Sequence, residues 1–134
     1  MKISSEQEML ELGQKIGKTL VPPVVVELLG DVGVGKTTFT RGLAKGLGVK
    51  EPVTSPSFTI SKTYALLEGK NLIHYDFYRL KDPGLMSEDL SENINNGNNI
   101  IIVEWADSVA DLLPKDHTTI TINYNDDGSR EVIL

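Results

Sequence analysis

Apolar positions recur along this chain with two periods, and the changes of period mark its elements. In "SSEQEMLELGQKIGKTL" (4–20) Met9, Leu12, Ile16 and Leu20 fall on one helical stripe, and Ser5 followed three residues later by Glu8 has the spacing of a capping box. A helix is expected there, stopped by Pro22 and Pro23. The next run, "VVVELL" (24–29), is β-branched and aliphatic throughout, as suits a strand covered on both faces. A glycine-rich turn over 30–35 leads into a second expected helix at about 36–46, which ends in "KGLGV" with glycines of the C-cap kind.

The following "EPVTSPSF" (51–58) is irregular, since its two prolines disfavour both helix and central strand. "FTISKTYALLEG" (58–69) and "NLIHYDFY" (71–78) alternate with a period of two, and "EGKN" supplies a hairpin turn between them. A weaker helical pattern at about 83–95 runs into the polar loop "NNGNN", and "IIIVEW" (100–105) reads as a second buried strand. "DSVADLLP" reads as a short helix, and "TTITINY" with "REVIL" as a final hairpin around "NDDGS". The two apolar runs, 24–29 and 100–104, are the expected parallel centre of a mixed α/β sheet, with alternating strands as antiparallel edges and helices flanking it.

Composition narrows the class. At 134 residues the chain has the length of one domain with a real core, so 1–134 is expected to be a single domain. Aromatic residues make up 6%, so that core must be mainly aliphatic. Thirteen Lys and Arg face 19 Asp and Glu, a formal charge of −6. Counterion release needs clustered cations, so binding to nucleic acid unaided is disfavoured. The lack of cysteine excludes disulfides and thiolate metal sites. No apolar run approaches the ~20 residues of a membrane span, and "MKISSEQEML" has no apolar signal core, so a soluble cytoplasmic protein is expected.

The turn after the first strand carries the chemistry. Gly30, Gly35, Lys36 and Thr37 satisfy G-x-x-x-x-G-K-[ST], with Asp31, Val32, Gly33 and Val34 between them and Thr38 next. Glycines let successive N–H groups turn inward on phosphates, and the helix that follows adds its positive end. Lys36 would reach the β and γ phosphates, and Thr37 would give its hydroxyl to Mg²⁺. The fold expected is therefore that of a P-loop NTPase.

Such a cradle needs an acid at the end of a neighbouring strand. "IIIVE" ends in Glu104, which has the form of that element, and Asp76 in "LIHYDFYR" is the second candidate. Together they could hold the attacking water or a metal-bound water. His74, two residues before Asp76 on the same strand face, reads more readily as a structural hydrogen-bonding residue than as a catalyst.

Several stretches together resemble one family: "LELG" (10–13), "GDVGVGKTTFTRGLAKGLGV" (30–49), "VTSPSFTISKTY" (53–64), "HYDFYRLKDP" (74–83) and "VEWAD" (103–107). In order and spacing they resemble the TsaE (YjeE) family, the small ATPases of bacterial tRNA threonylcarbamoyladenosine synthesis. The resemblance implies that Gly30 to Thr37 bind ATP phosphates, that Thr37 and Glu104 ligate Mg²⁺, and that Asp76 lies near the γ-phosphate and attacking water. It implies a switch-like loop at Ser55, Pro56 and Ser57, and places Trp105 directly after the metal-binding Glu104. Arg130 would lie against the base, with Ser5 near it. "GSRE" carries one residue more than the family's common "GRE", which puts the register of Arg130 to the test.

The resemblance further implies a weak ATPase that TsaB- and TsaD-like partners stimulate. It would switch with its nucleotide state through segments that include His74, Tyr78 and Arg79, and would meet tRNA only through the complex. A different class, a small-molecule or nucleoside kinase, would need an acceptor pocket and an Arg-bearing lid. The chain offers Arg79 and Arg130 but no insertion long enough for a lid. The Asn-Lys-x-Asp stretch typical of GTPases is lacking, which favours adenine.

Overall fold

The computed structural model describes every residue except 57, 58, 79 and 81. Seven strands and three α-helices are described: β1 (Lys2–Ile3), α1 (Glu6–Gly17), β2 (Val24–Leu29), α2 (Lys36–Gly46), β3 (Ser61–Ala65), β4 (Asn71–Asp76), α3 (Leu85–Ile94), β5 (Asn99–Glu104), β6 (Thr118–Tyr124) and β7 (Arg130–Ile133). Short 3-10 turns cover Leu67–Gly69 and Ala106–Leu112. The strands form one mixed sheet in the order β1-β7-β6-β2-β5-β4-β3. β4 and β5 are parallel, while β3–β4, β6–β7 and β1–β7 are antiparallel. The chain groups into two compact units, 1–20 with 28–54 and 119–134, and 21–27 with 55–118.

In the first unit, α1 begins as its sequence requires. Ser5 caps it by accepting from Glu8 N at 3.1 Å, but the Glu8 carboxylate reaches back to Ser4 N (3.0 Å), one residue earlier than a capping box places it. The packing of α1 on α2 rests on glycine. A Cβ on Gly13 or Gly17 would stand 2.4 Å from Phe39 O or 2.2 Å from Leu43 O; one on Gly42 or Gly46 would stand 2.2 Å from Leu10 O or Gln14 O. Two Gly-x-x-x-Gly steps thus let the helices meet backbone to backbone. Gly46, expected as a cap, is one of these packing residues; Gly48, at φ +93°, is the residue with helix-terminating geometry. The two-residue strand β1, too short to show a period, was not expected. It pairs Ile3 with Arg130 on β7, and the N-terminal amine meets Glu131 at 2.7 Å.

In the second unit, β4 corrects the expected topology. The alternation of "NLIHYDFY" suggested an antiparallel edge strand with one wet face. Instead β4 is buried from Leu72 to Asp76 and lies between β3 and β5, parallel to the latter. The polar half of its alternation consists of His74 and Asp76, which are buried, so a period of two arose without solvent on either face. The other face carries Ile73, Tyr75 and Phe77 into a core with Ile101, Val103 and Leu90 of α3. Tyr75 adds a polar anchor there. Its hydroxyl donates to Asp89 (2.6 Å) and accepts from Asn93 (2.7 Å), and burial, with Asp89 beside it, pushes the phenol well above its usual range. The β3–β4 turn is wider than "EGKN", because the 3-10 turn starts at Leu67 and Leu66 N bonds Lys70 O at 2.8 Å.

Candidate functional site

The first unit holds the phosphate-loop motif. Gly30, Gly33 and Gly35 have φ of +152°, +80° and +117°, a region in which a side chain is strained. Gly30 also has no room for one, since a Cβ would meet Ile122 O at 2.6 Å. The loop's carbonyls are engaged. Lys36 Nζ donates to Gly30 O (2.5 Å), Tyr124 Oη to Gly33 O (2.7 Å) and Arg130 Nε to Val34 O (2.9 Å). Val34 is buried and anchors the turn, while Asp31, Val32 and Gly33 are exposed. α2 then starts with no side-chain cap and no acid in its first turn. An uncapped N-terminus of this kind suits an anion through its N–H groups and dipole. Thr37 and Thr38, half-buried, stand in that first turn.

Beside the loop lies a cavity of about 350 Å³, lined by Ser4, Ser5, Met9, Gly33 to Gly35, Thr38, Gly128 and Arg130 among others. The structure thus brings Ser5 and Arg130 to one place. Arg130 stands over the Tyr124 ring, with Cζ 4.2 Å from its centroid, and one terminal nitrogen donates to Gly128 O (2.6 Å). The extra residue of "GSRE" therefore leaves Arg130 beside the loop. Sequence reasoning missed Tyr124 and Met9. The signal for Tyr124 was the hairpin register, which pairs it with Arg130 across "NDDGS".

The second unit holds the acids. Asp76 and Glu104 are register partners at the C-terminal ends of the parallel strands β4 and β5, the edge at which α/β sheets bind ligands. Both are buried, at 8% and 4% exposure. His74 reaches Glu104 from the same face, with Nε2 2.5 Å from Oε2. Asp76 Oδ1 accepts from Tyr78 N (2.9 Å), and Phe77 N donates to Glu104 O (3.1 Å). Directly after Glu104, Trp105 takes a left-handed conformation (φ +54°, ψ +51°) and its ring meets Tyr78 at 4.8 Å.

The stretch that follows Thr54 joins this group. Pro56 O accepts from Thr59 N and Ile60 N, Ile60 has φ +69°, and Ile60 O accepts from Asp76 N (2.7 Å). Two non-glycine residues at positive φ thus flank the acids, a strain that concentrates at functional segments. Ser55 is exposed and Pro56 buried. Ser57 and Arg79 lie outside the described residues. Among the described residues no group of three or more His, Cys, Asp or Glu could hold a metal, and no helix is long and apolar enough to cross a membrane.

Comparison with known proteins identifies relatives of this arrangement. A family model described as "Threonylcarbamoyl adenosine biosynthesis protein TsaE" matches residues 3–132. The tRNA threonylcarbamoyladenosine biosynthesis protein TsaE of Streptomyces coelicolor is 40% identical over 86% of this chain and 78% of its own. The protein of that name from Bacillus subtilis is 42% identical over 83% and 68%. The crystal structure of Bacillus subtilis YdiB superposes with a TM-score of 0.80 at 32% identity, covering 98% of this chain and 80% of that one.

Proposed function

Because the chain belongs to the TsaE family, and so to tRNA threonylcarbamoyladenosine biosynthesis, we propose that it is the cytoplasmic ATPase of that process and acts as one domain. In this reading it binds ATP, hydrolyses it weakly alone, and switches a TsaB–TsaD-type partner complex that forms threonylcarbamoyladenosine at position 37 of tRNA. The observation that carries the reading is the Gly30–Thr37 turn, whose carbonyls are bonded and which opens an uncapped helix.

The main-chain N–H groups of Asp31 to Thr38 would bind the α and β phosphates, with Lys36 turning from Gly30 O to the β and γ phosphates. The base would enter the cavity beside Arg130 and Ser5. Mg²⁺ fits the donor chemistry, because the Thr37 hydroxyl and Glu104 carboxylate are hard oxygen donors. This ion favours one or two carboxylates completed by phosphate oxygens over an all-protein cage. Bound, it would neutralise charge on the phosphates. Asp76 would orient the attacking water.

The strained residues Ile60 and Trp105, with Ser55, Pro56 and Tyr78, would re-form according to the nucleotide bound and present different faces to the partners. Such partners would carry the tRNA. This suits an acidic chain of net charge −6.

Phosphate release tests the proposal, measured with the chain alone and then with the partner proteins and tRNA. Slow release that rises on assembly is the expected result. Transfer of the γ-phosphate to a small acceptor would replace this reading with the kinase one.

A further inference from the structure

His74 is one of the most buried polar residues in the chain, at 1% exposure. Its Nε2 lies 2.5 Å from Glu104 Oε2, while its Nδ1 is buried and has no hydrogen-bond partner among the described residues. A carboxylate beside Nε2 and no hydrogen-bond acceptor for Nδ1 among the described residues assign the ring proton to Nε2. That arrangement leaves Nδ1 as a lone pair and makes Nε2–H the donor. Stability alone gives a poor account of this histidine, since it carries an unsatisfied buried nitrogen where an aliphatic side chain would pack without one. The residue opposite it in register is Ile102, so the side chain leans along the sheet to reach the carboxylate at the strand end.

We propose that His74 is a positioning residue: its Nε2–H holds Glu104 through Oε2 and so orients the carboxylate that is read above as a Mg²⁺ ligand. The inference rests on the reading of Glu104 as a metal ligand. It adds the group that orients it. A glutamate side chain has three rotatable bonds, and holding one oxygen reduces the orientations from which the metal must select. Hydrogen-bond partners of metal ligands are worth about 10- to 100-fold in metal affinity. The same pairing joins β4 to the mouth of β5, so the motif "HYDFY" supplies both Asp76 and the holder of Glu104.

The test is calorimetric titration of a non-hydrolysable ATP analogue, with and without Mg²⁺, for the wild type and for His74→Leu and His74→Gln. The readout is the factor by which Mg²⁺ tightens nucleotide binding. His74→Leu is expected to lower this factor about 10- to 100-fold while leaving Mg²⁺-free binding unchanged. His74→Gln, whose amide nitrogen can stand where Nε2 stands, is expected to restore most of it. A merely structural role would lower binding with and without the metal alike.

In the wild type, ¹⁵N imidazole shifts are expected to show the proton on Nε2, a reading that needs no variant to fold. Two results overturn the inference alone: a Mg²⁺ factor unchanged in His74→Leu, or a proton on Nδ1. A wild type that binds the analogue equally with and without Mg²⁺ overturns the metal assignment of Glu104 and the inference with it.

Discussion

Lys36 and Glu104 should be the residues on which turnover depends most. Each is buried and engaged, Lys36 with the loop's own Gly30 carbonyl and Glu104 with His74. Lys36→Ala and Glu104→Ala are expected to slow phosphate release ~30- to 1,000-fold, equivalent to about 2–4 kcal/mol of lost transition-state stabilisation. Unchanged circular dichroism would locate the loss in chemistry. Arg130 should act on binding instead. Arg130→Ala is expected to weaken ATP binding about 3- to 30-fold, because it removes a planar cation that lines the cavity and the tether on Val34 O. Fluorescence titration with a labelled ATP analogue measures it, and Arg130→Lys should restore little, since an ammonium is not planar.

The glycine contacts govern how α1 and α2 meet. Gly17→Ala would put a methyl 2.2 Å from a backbone oxygen that cannot rotate away. The expected cost is about 1–3 kcal/mol in urea denaturation. Gly97→Ala, where the added carbon meets nothing within 4 Å, serves as the neutral comparison. These contacts also show where the sequence was hard to read. Elements with a steady period were legible: α1, β2, α2, α3, β5 and the β6–β7 hairpin fall where their patterns put them. What failed were inferences from local pattern to partner. Gly46 looked like a cap because a glycine near a helix end carries no mark of what passes beside it. β4 looked like an edge because the burial of His74 and Asp76 depends on the neighbouring strand. In the candidate site, the 30–37 turn and the strand-end positions of Asp76 and Glu104 could be placed from spacing, while Tyr124 and Met9 could not, because each reaches the loop from another element.

For stability of the whole chain, the outlying histidine supplies a pH signature. Both ring nitrogens of His117 face acceptors, Pro114 O at 2.6 Å and Glu27 Oε1 at 3.0 Å, an arrangement that only the imidazolium satisfies fully. The Pro114 carbonyl first, and then the Glu27 carboxylate, raise its pKa above the usual 6.5. A raised pKa means that the folded state holds the proton more tightly than the unfolded one. The contribution is therefore complete below about pH 6.5 and is lost as pH climbs through the folded-state value. Urea midpoints from pH 5 to 9 should show wild type ahead of His117→Gln on the acid side, with the gap closing as pH rises.

On the function proposed above, this chain grips a nucleoside triphosphate with its metal at the Gly30–Thr37 turn. Isothermal titration of the intact chain with ATP and Mg²⁺ tests it most directly. One site per chain is expected, with binding that weakens when Mg²⁺ is withheld and is largely lost in Lys36→Ala. No heat and no rise in Tm at millimolar ATP and Mg²⁺ would contradict it.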